Sequence, residues 1–468
     1  MNENKLLSIV NQLNKSQIVF LKKYLNSQFV TKDTHVKRLL FFLLNNKLAI
    51  GNPHNKNTIH LYVYPDLTFK DLRVRHLLWR ANEALEYFML LYSVLSGSQD
   101  KNILIADFLL DNALPDIAKQ YYNKAVCDIE NSTIQNSQYF FRNYYLNLRL
   151  FEIESGNIRS KDLNLQQVQN NLSIFTFLET LKCACIIQSH LRISDSRLDV
   201  VFLEHILNEV HISSFFNLPQ IKIYHTIYLL LTADDESNFK GFIQYIKKHE
   251  HLFSNHDLNY IYKMTINFCI RMSNQNKPEY NKVAFNVYTY SIKNRYFIEN
   301  NQIHRFTLTN AIALGIKTKN FKASEILLNE CSQYLETAYK QNTIDFNKAK
   351  IFFAKGEYNS ALKILLTNEF KDLIWNLNAK YITLKILFEL NDLDAFDIHL
   401  KAFKLYIKRR SNIGYHKTYF SEVCKAFTYL RKSVRNPRFV ISHHLSVDTP
   451  DLEWFQLQLV KHNILVLK

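Results

Sequence analysis

Seven glycines and seven prolines are all that interrupt 468 residues, a shortage that argues against turn-rich all-β folds, whose corners need both. The glycines (Gly51, Gly97, Gly156, Gly241, Gly315, Gly356 and Gly414) are too scattered to cradle a phosphate, and neither GxGxxG nor GxxxxGK[ST] occurs, so the common routes to nucleotide chemistry have no support. GxSxG, HExxH and CxxC are also missing, which removes the usual local markers of serine hydrolases, zincins and zinc ribbons. Six cysteines (Cys127, Cys183, Cys185, Cys269, Cys331 and Cys424) are spread without pairing. That pattern predicts small reduced core residues in a reducing compartment. The first residues, MNENKLLSIVNQLNKSQ, lack the basic start, apolar stretch and cleavage site of a signal peptide, and no unbroken apolar run reaches about 18 residues. The expectation is a cytoplasmic protein without a membrane span.

What is present is apolar and helical in period. Hydrophobic residues make up 47% of the chain and charged residues 21%, enough to bury a large core. Residues 1–95 read as a helical unit. In it Ser16 precedes "QIVFLKKYL", a loop falls at Asn52, Pro53, His54 and Asn55, "IHLYVYP" reads as a short extended segment, and Thr68 with Asp71 reads as a capping pair. Gly97 closes the long helix that follows. From residue 96 the chain becomes a series of helical pairs, with Pro115, Pro219 and Pro278 placed for first helical turns and a helix over 138–155 ending near Gly156. Turns fall near Asp235, Asn276, Lys319, Gly356 and Asn391, at intervals of about 35–43 residues that fit helix-turn-helix repeat units.

The stretch "AKIFFAKGEYNSALKILL" resembles a tetratricopeptide repeat. Ala349 takes the small position of the first helix, Phe352 the aromatic one, Gly356 the turn, Tyr358 the packing aromatic, Ala361 the small position of the second helix and Leu365 the large apolar one. The next unit places Leu393 and Phe396 at the corresponding spacing, and the preceding one Phe321 and Ser324. Asp345 and Lys348 depart from the family's apolar pattern, and no proline closes the repeat. The match covers residues 301–410, within an array spanning 96–410, and the layout is similar to bacterial tetratricopeptide-like proteins of about this size. The resemblance implies an all-α fold of antiparallel helix hairpins stacked as an α-solenoid. It implies no catalytic activity and no cofactor.

Candidate ligand sets are few. "HEHLFSNHD" gathers His249, Glu250, His251, His256 and Asp257, but ligands on one helical face need i, i+4 spacing, so a solvated turn is expected instead of a metal site. Cys183 and Cys185 fall on different helix faces, while Asp392, Asp394 and Asp397 read as helix N-terminal residues. "YTYSIKNRYF" reads as helical core packing.

Charge is the most unusual feature. Lys and Arg outnumber Asp and Glu by 13 to 7 in residues 1–100, 32 to 31 in 101–400 and 13 to 4 in 401–468. Residues 411–468 form a basic helical cap in this reading. Lys401, Lys404, Lys408, Arg409, Arg410, Lys417, Lys425, Arg431, Lys432, Arg435 and Arg438 face the single acid Glu422 over residues 401–438. Lys401, Lys404 and Lys408 are spaced for one helical stripe, with Tyr406, Tyr415, Tyr419 and Tyr429 as stacking partners. Three readings stand here: a polar outer face closing the array, a surface for an acidic protein, and a track for nucleic acid. A non-enzymatic interaction scaffold is expected, with nucleic-acid binding through the basic end as its alternative.

Overall fold

Apolar residues recurring every three to four positions drive the chain into helices. The computed structural model describes residues 2–27, 33–45, 56–96, 98–155, 164–191, 198–212, 214–233, 236–370, 372–410, 416–436, 449–462 and 464. Among them it forms 22 α-helices and one antiparallel pair of two-residue strands, Ile298–Glu299 with Gln302–Ile303. The chain packs as two compact units, Met1–Glu179 and Thr180–Lys468. The expected features at residues 51–55, Gly97, Gly156, Asp235, Gly414, Tyr415 and Arg438 lie outside the described residues.

In the first unit, α1 (Asn2–Gln12), α2 (Lys15–Asn26), α3 (Thr34–Asn45) and α4 (Lys56–Val63) surround α5 (Asp71–Ser96). Leu21, Leu39, Val63, Leu77 and Phe88 meet in one buried cluster, each worth about 1.5–3 kcal/mol of transfer free energy. Two local expectations are corrected. "IHLYVYP" enters a helix because Ile59, His60 and Val63 fall on one face and are buried, so tertiary packing overrides the β-like composition. Asp71 begins α5 itself and pairs with Lys56 at 2.7 Å and Arg75 at 2.7 Å, instead of closing a capping box with Thr68. The reciprocal box occurs earlier, where Asn14 and Gln17 cap α2. Helices α6 (Ser98–Asp111), α7 (Pro115–Glu130) and α8 (Ser137–Ser155) then pack in sequence. Asp107 accepts hydrogen bonds from Tyr122 at 2.5 Å and Tyr145 at 2.9 Å.

Helix α9 (Leu165–Leu191) is long and apolar enough to cross a membrane by length and composition, with a mean hydropathy of 1.3 and 28% of that window buried. It meets this test without the unbroken apolar run sought in the sequence, because polar residues are interspersed along it.

The second unit contains α10 (Leu203–Ile212), α11 (Pro219–Thr232), α12 (Phe242–His249), α13 (Asn255–Asn274), α14 (Glu279–Lys293), α15 (Arg305–Lys317), α16 (Phe321–Cys331), α17 (Lys340–Lys355), α18 (Tyr358–Thr367), α19 (Leu373–Glu389), α20 (Leu393–Arg409), α21 (His416–Arg435) and α22 (Leu452–Lys461). From α13 to α22 each helix packs on the next, and α15, α17 and α19 also touch one another in order. The turns repeat a single geometry. Asn276, Lys319, Gly356 and Asn391 all adopt left-handed backbone with φ between 56° and 81°, and the amide after each reaches back to a carbonyl five residues earlier, as in Glu357 to Phe352 at 2.9 Å. Pro219 is the first residue of α11, whereas Pro278 stands just before α14.

Small residues sit where these helices meet. Ala349, Ala361 and Ser324 are fully buried, and Gly315 leaves no room for a Cβ beside Ser324 and the Phe285 ring. Phe396, at an expected alanine position, is also fully buried, packed edge-on against Phe388 and Phe427.

Helix α22 folds back on α19. Asp451 takes the ammonium of Lys385 and the hydroxyl of Tyr381. Glu389 accepts from Trp454 Nε1 at 3.1 Å, Gln458 at 2.6 Å and Lys461 at 2.8 Å. As a result Tyr381 to Phe388 are buried without a break, the condition of a helix covered on every side.

Candidate functional site

The basic segment folds as an antiparallel pair, α20 against α21, held by Phe403, Ile407, Phe420, Val423 and Phe427 in a shared core. Helical periodicity then sorts its cations. Lys404 and Lys408 of α20, with Lys417, Lys425 and Lys432 of α21, line one open cleft of about 600 Å³ whose lining includes no carboxylate among the described residues. Its floor is Ile407, Cys424, Thr428 and the flank of Tyr429. Burial pushes the Cys424 thiol up to about 11 even though Lys404 pulls it down, so the floor presents a neutral thiol.

The cleft lysines are not equally occupied. Lys404 donates to Thr428 Oγ1 at 2.7 Å, and Lys425 to Glu422 at 2.7 Å. Lys408 and Lys417 are exposed and have no ion-pair partner among the described residues. Of the other expected residues, Arg431 is held by Asp397 through Nε at 3.0 Å and Nη2 at 2.9 Å. Asp397 is thus an ion-pair partner of α21, while Asp392 does cap α20 by accepting from Ala395 at 3.2 Å. Arg410 lies over the Tyr406 ring at 5.2 Å and lines a separate hollow with Lys380 and His399. Lys401, Arg409 and Arg435 are exposed outside both. The stripe is therefore divided: Lys404 and Lys408 join the cleft and Lys401 does not.

Ile407, Ser421, Cys424 and Thr428 complete the cleft and are not among the basic and aromatic residues singled out in the sequence. Their signal was in the spacing, since positions 417, 421, 424, 425, 428 and 432 fall on one face of α21.

The acidic and histidine-rich stretch is only in part the solvated turn expected of it: His251 and His256 are exposed, while its two acids are engaged. Glu250 accepts hydroxyls from Tyr262, Tyr290 and Tyr296, the latter two at 3.0 Å. Burial and this carboxylate push Tyr290 up to about 12. Asp257 is buried, completes a capping box with Ser254 and pairs with Lys182 at 3.1 Å. Both acids tie helices together. Of "YTYSIKNRYF", only the part through Lys293 is helical, and Tyr296 reaches Glu250 from the turn beyond.

Other shifted groups form local clusters or stand alone: Tyr381, Lys385 and Asp451 meet where α22 begins, and Tyr122, Tyr145 and Arg149 meet between α7 and α8. Burial lowers the Lys350 amine to about 8 near the Phe346 ring, and raises the Cys269 and Cys331 thiols to about 12. Cys185, Cys269, Cys331 and Cys424 are buried as expected, but Cys127 and Cys183 are exposed because they fall on the outer faces of α7 and α9. Among the described residues no group of three or more His, Cys, Asp or Glu side chains is arranged to hold a metal ion.

No family model, curated protein or solved structure matches this chain.

Proposed function

We propose that this protein is a non-enzymatic interaction scaffold: a tetratricopeptide-like array of helical hairpins, stacked as an α-solenoid, that holds a protein partner. The observation that carries this reading is the cleft between α20 and α21, where five lysines surround an apolar floor on two helices fixed by a shared core. Rigid elements presenting convergent charge around a small apolar surface favour recognition over chemistry. The recurrent left-handed turn and the buried small residues at Ala349 and Ala361 support the repeat reading. Reduced thiols favour the cytoplasm.

The test is a tagged pull-down from native cells, with and without nuclease, at low and moderate salt. A stoichiometric protein that survives nuclease is the expected result. Recovery of nucleic acid alone, lost steeply with salt, would replace the protein partner with a polyanionic strand.

A further inference from the structure

We propose that the α20–α21 cleft is a docking groove for a short acidic peptide segment of a partner, one that carries apolar side chains among its carboxylates. This inference rests on the scaffold reading and names the chemistry of its partner.

Charge gives the first argument. Among the described residues five lysines and no carboxylate line the groove, and Glu422 beside it accepts from Lys425. Lys408 and Lys417 stand across the seam from each other's helix, exposed and without ion partners among the described residues. Anionic groups on a bound segment would complete both.

The floor discriminates between polyanions. Single-stranded nucleic acid binds by stacking its bases on exposed rings, but Tyr429 is half-buried against the core and Tyr419, packed edge-on to Phe420, lies outside the groove. The aliphatic stems of the lining lysines, over the buried Ile407 and the neutral Cys424 thiol, instead offer a surface for aliphatic groups. A phosphate backbone has nothing apolar to place there; leucine or valine between acidic residues does.

Extent gives the third argument. From Lys417 to Lys432 the groove spans about 22 Å at 1.5 Å per residue, the reach of about six or seven residues of extended chain. A phosphate track would continue over neighbouring helices, yet residues 101–400 carry 32 basic against 31 acidic side chains. No positive track therefore leads from the groove along the near-neutral middle of the chain.

The experiment measures fluorescence anisotropy of the full chain with a labelled heptapeptide of sequence Glu-Asp-Leu-Glu-Leu-Asp-Glu. A version with serine for both leucines and a single-stranded seven-nucleotide oligomer serve as comparison probes. Lys408→Glu with Lys417→Glu should weaken the peptide at least tenfold while leaving the thermal midpoint unchanged, because neither side chain has an ion-pair partner among the described residues. Replacing the leucines by serine should weaken it several-fold. Tighter binding of the oligonucleotide, sensitive to the same two lysines, would overturn the peptide assignment. So would binding of neither probe while the charge-reversed chain still captured the wild-type protein partner from cells, and in that case the scaffold reading would survive. Failure of the wild-type chain to capture any protein would instead remove the scaffold reading itself.

Discussion

At Gly356 the backbone has φ +81° and open space where a side chain would begin, whereas at Gly315 a Cβ would overlap Ser324 Oγ and lie 2.8 Å from the Phe285 ring. The first glycine serves backbone conformation; the second serves the approach of α16 to α15. Gly356→Ala should therefore cost about 1–2 kcal/mol, the penalty of a left-handed L-residue. Gly315→Ala should cost about 1–3 kcal/mol through overpacking. Lys319 occupies the same kind of turn as Gly356 at φ 59°, so Lys319→Gly should stabilise by about 1 kcal/mol. Chemical denaturation of the three variants checks all of these, and a destabilised Lys319→Gly would refute the turn argument. These residues also show what was legible. The turn positions emerged from spacing, but three of the four left-handed sites hold asparagine or lysine, so glycine alone would have found only one.

Among the elements, α22 is held at its start by a carboxylate that acid neutralises. Burial raises the Asp451 carboxyl, and the neighbouring Lys385 ammonium, with hydrogen bonds from Lys385 and Tyr381, more than reverses that, leaving it below the ordinary value. A depressed carboxylate contributes stability above its unfolded pKa and loses it as pH falls through the folded one. The wild-type chain should accordingly be more stable than Asp451→Asn near neutrality, and the difference should shrink as pH drops below about 4, the unfolded aspartate range. Denaturant midpoints of both proteins across that range test it; a constant difference would mean that the ion pair is not what holds α22. None of this latch was visible in the sequence. Asp451 lies 66 positions from Lys385, and no local pattern announces a partner so distant. The lysines of the cleft were legible as a list, yet only folding showed that Arg431 is spent on Asp397 while Lys408 and Lys417 have no such partner among the described residues.

For the whole molecule, the order of packing governs how damage spreads. Helices α13 to α22 touch mainly their sequence neighbours, and the cluster built from α1 to α5 is a core of its own. Neighbour-limited packing predicts local responses. Ala361→Leu, overfilling the contact of α17 with α18, should accelerate amide exchange in α17 to α20 and leave α1 to α5 unchanged; acceleration throughout the chain would show one cooperative block. The all-α class and hairpin spacing could be read from periodicity because these contacts are local, whereas closure of α19 by α22 could not. That closure has a consequence for synthesis. Glu389 leaves the ribosome roughly 60 residues before Asp451, a delay of about 3–12 s at ordinary elongation rates. Throughout that interval the nascent chain displays the uncovered side of α19. A premature stop ahead of residue 451 would make the exposure permanent, so the truncated chain should be a sticky, chaperone-dependent product and not merely a smaller protein.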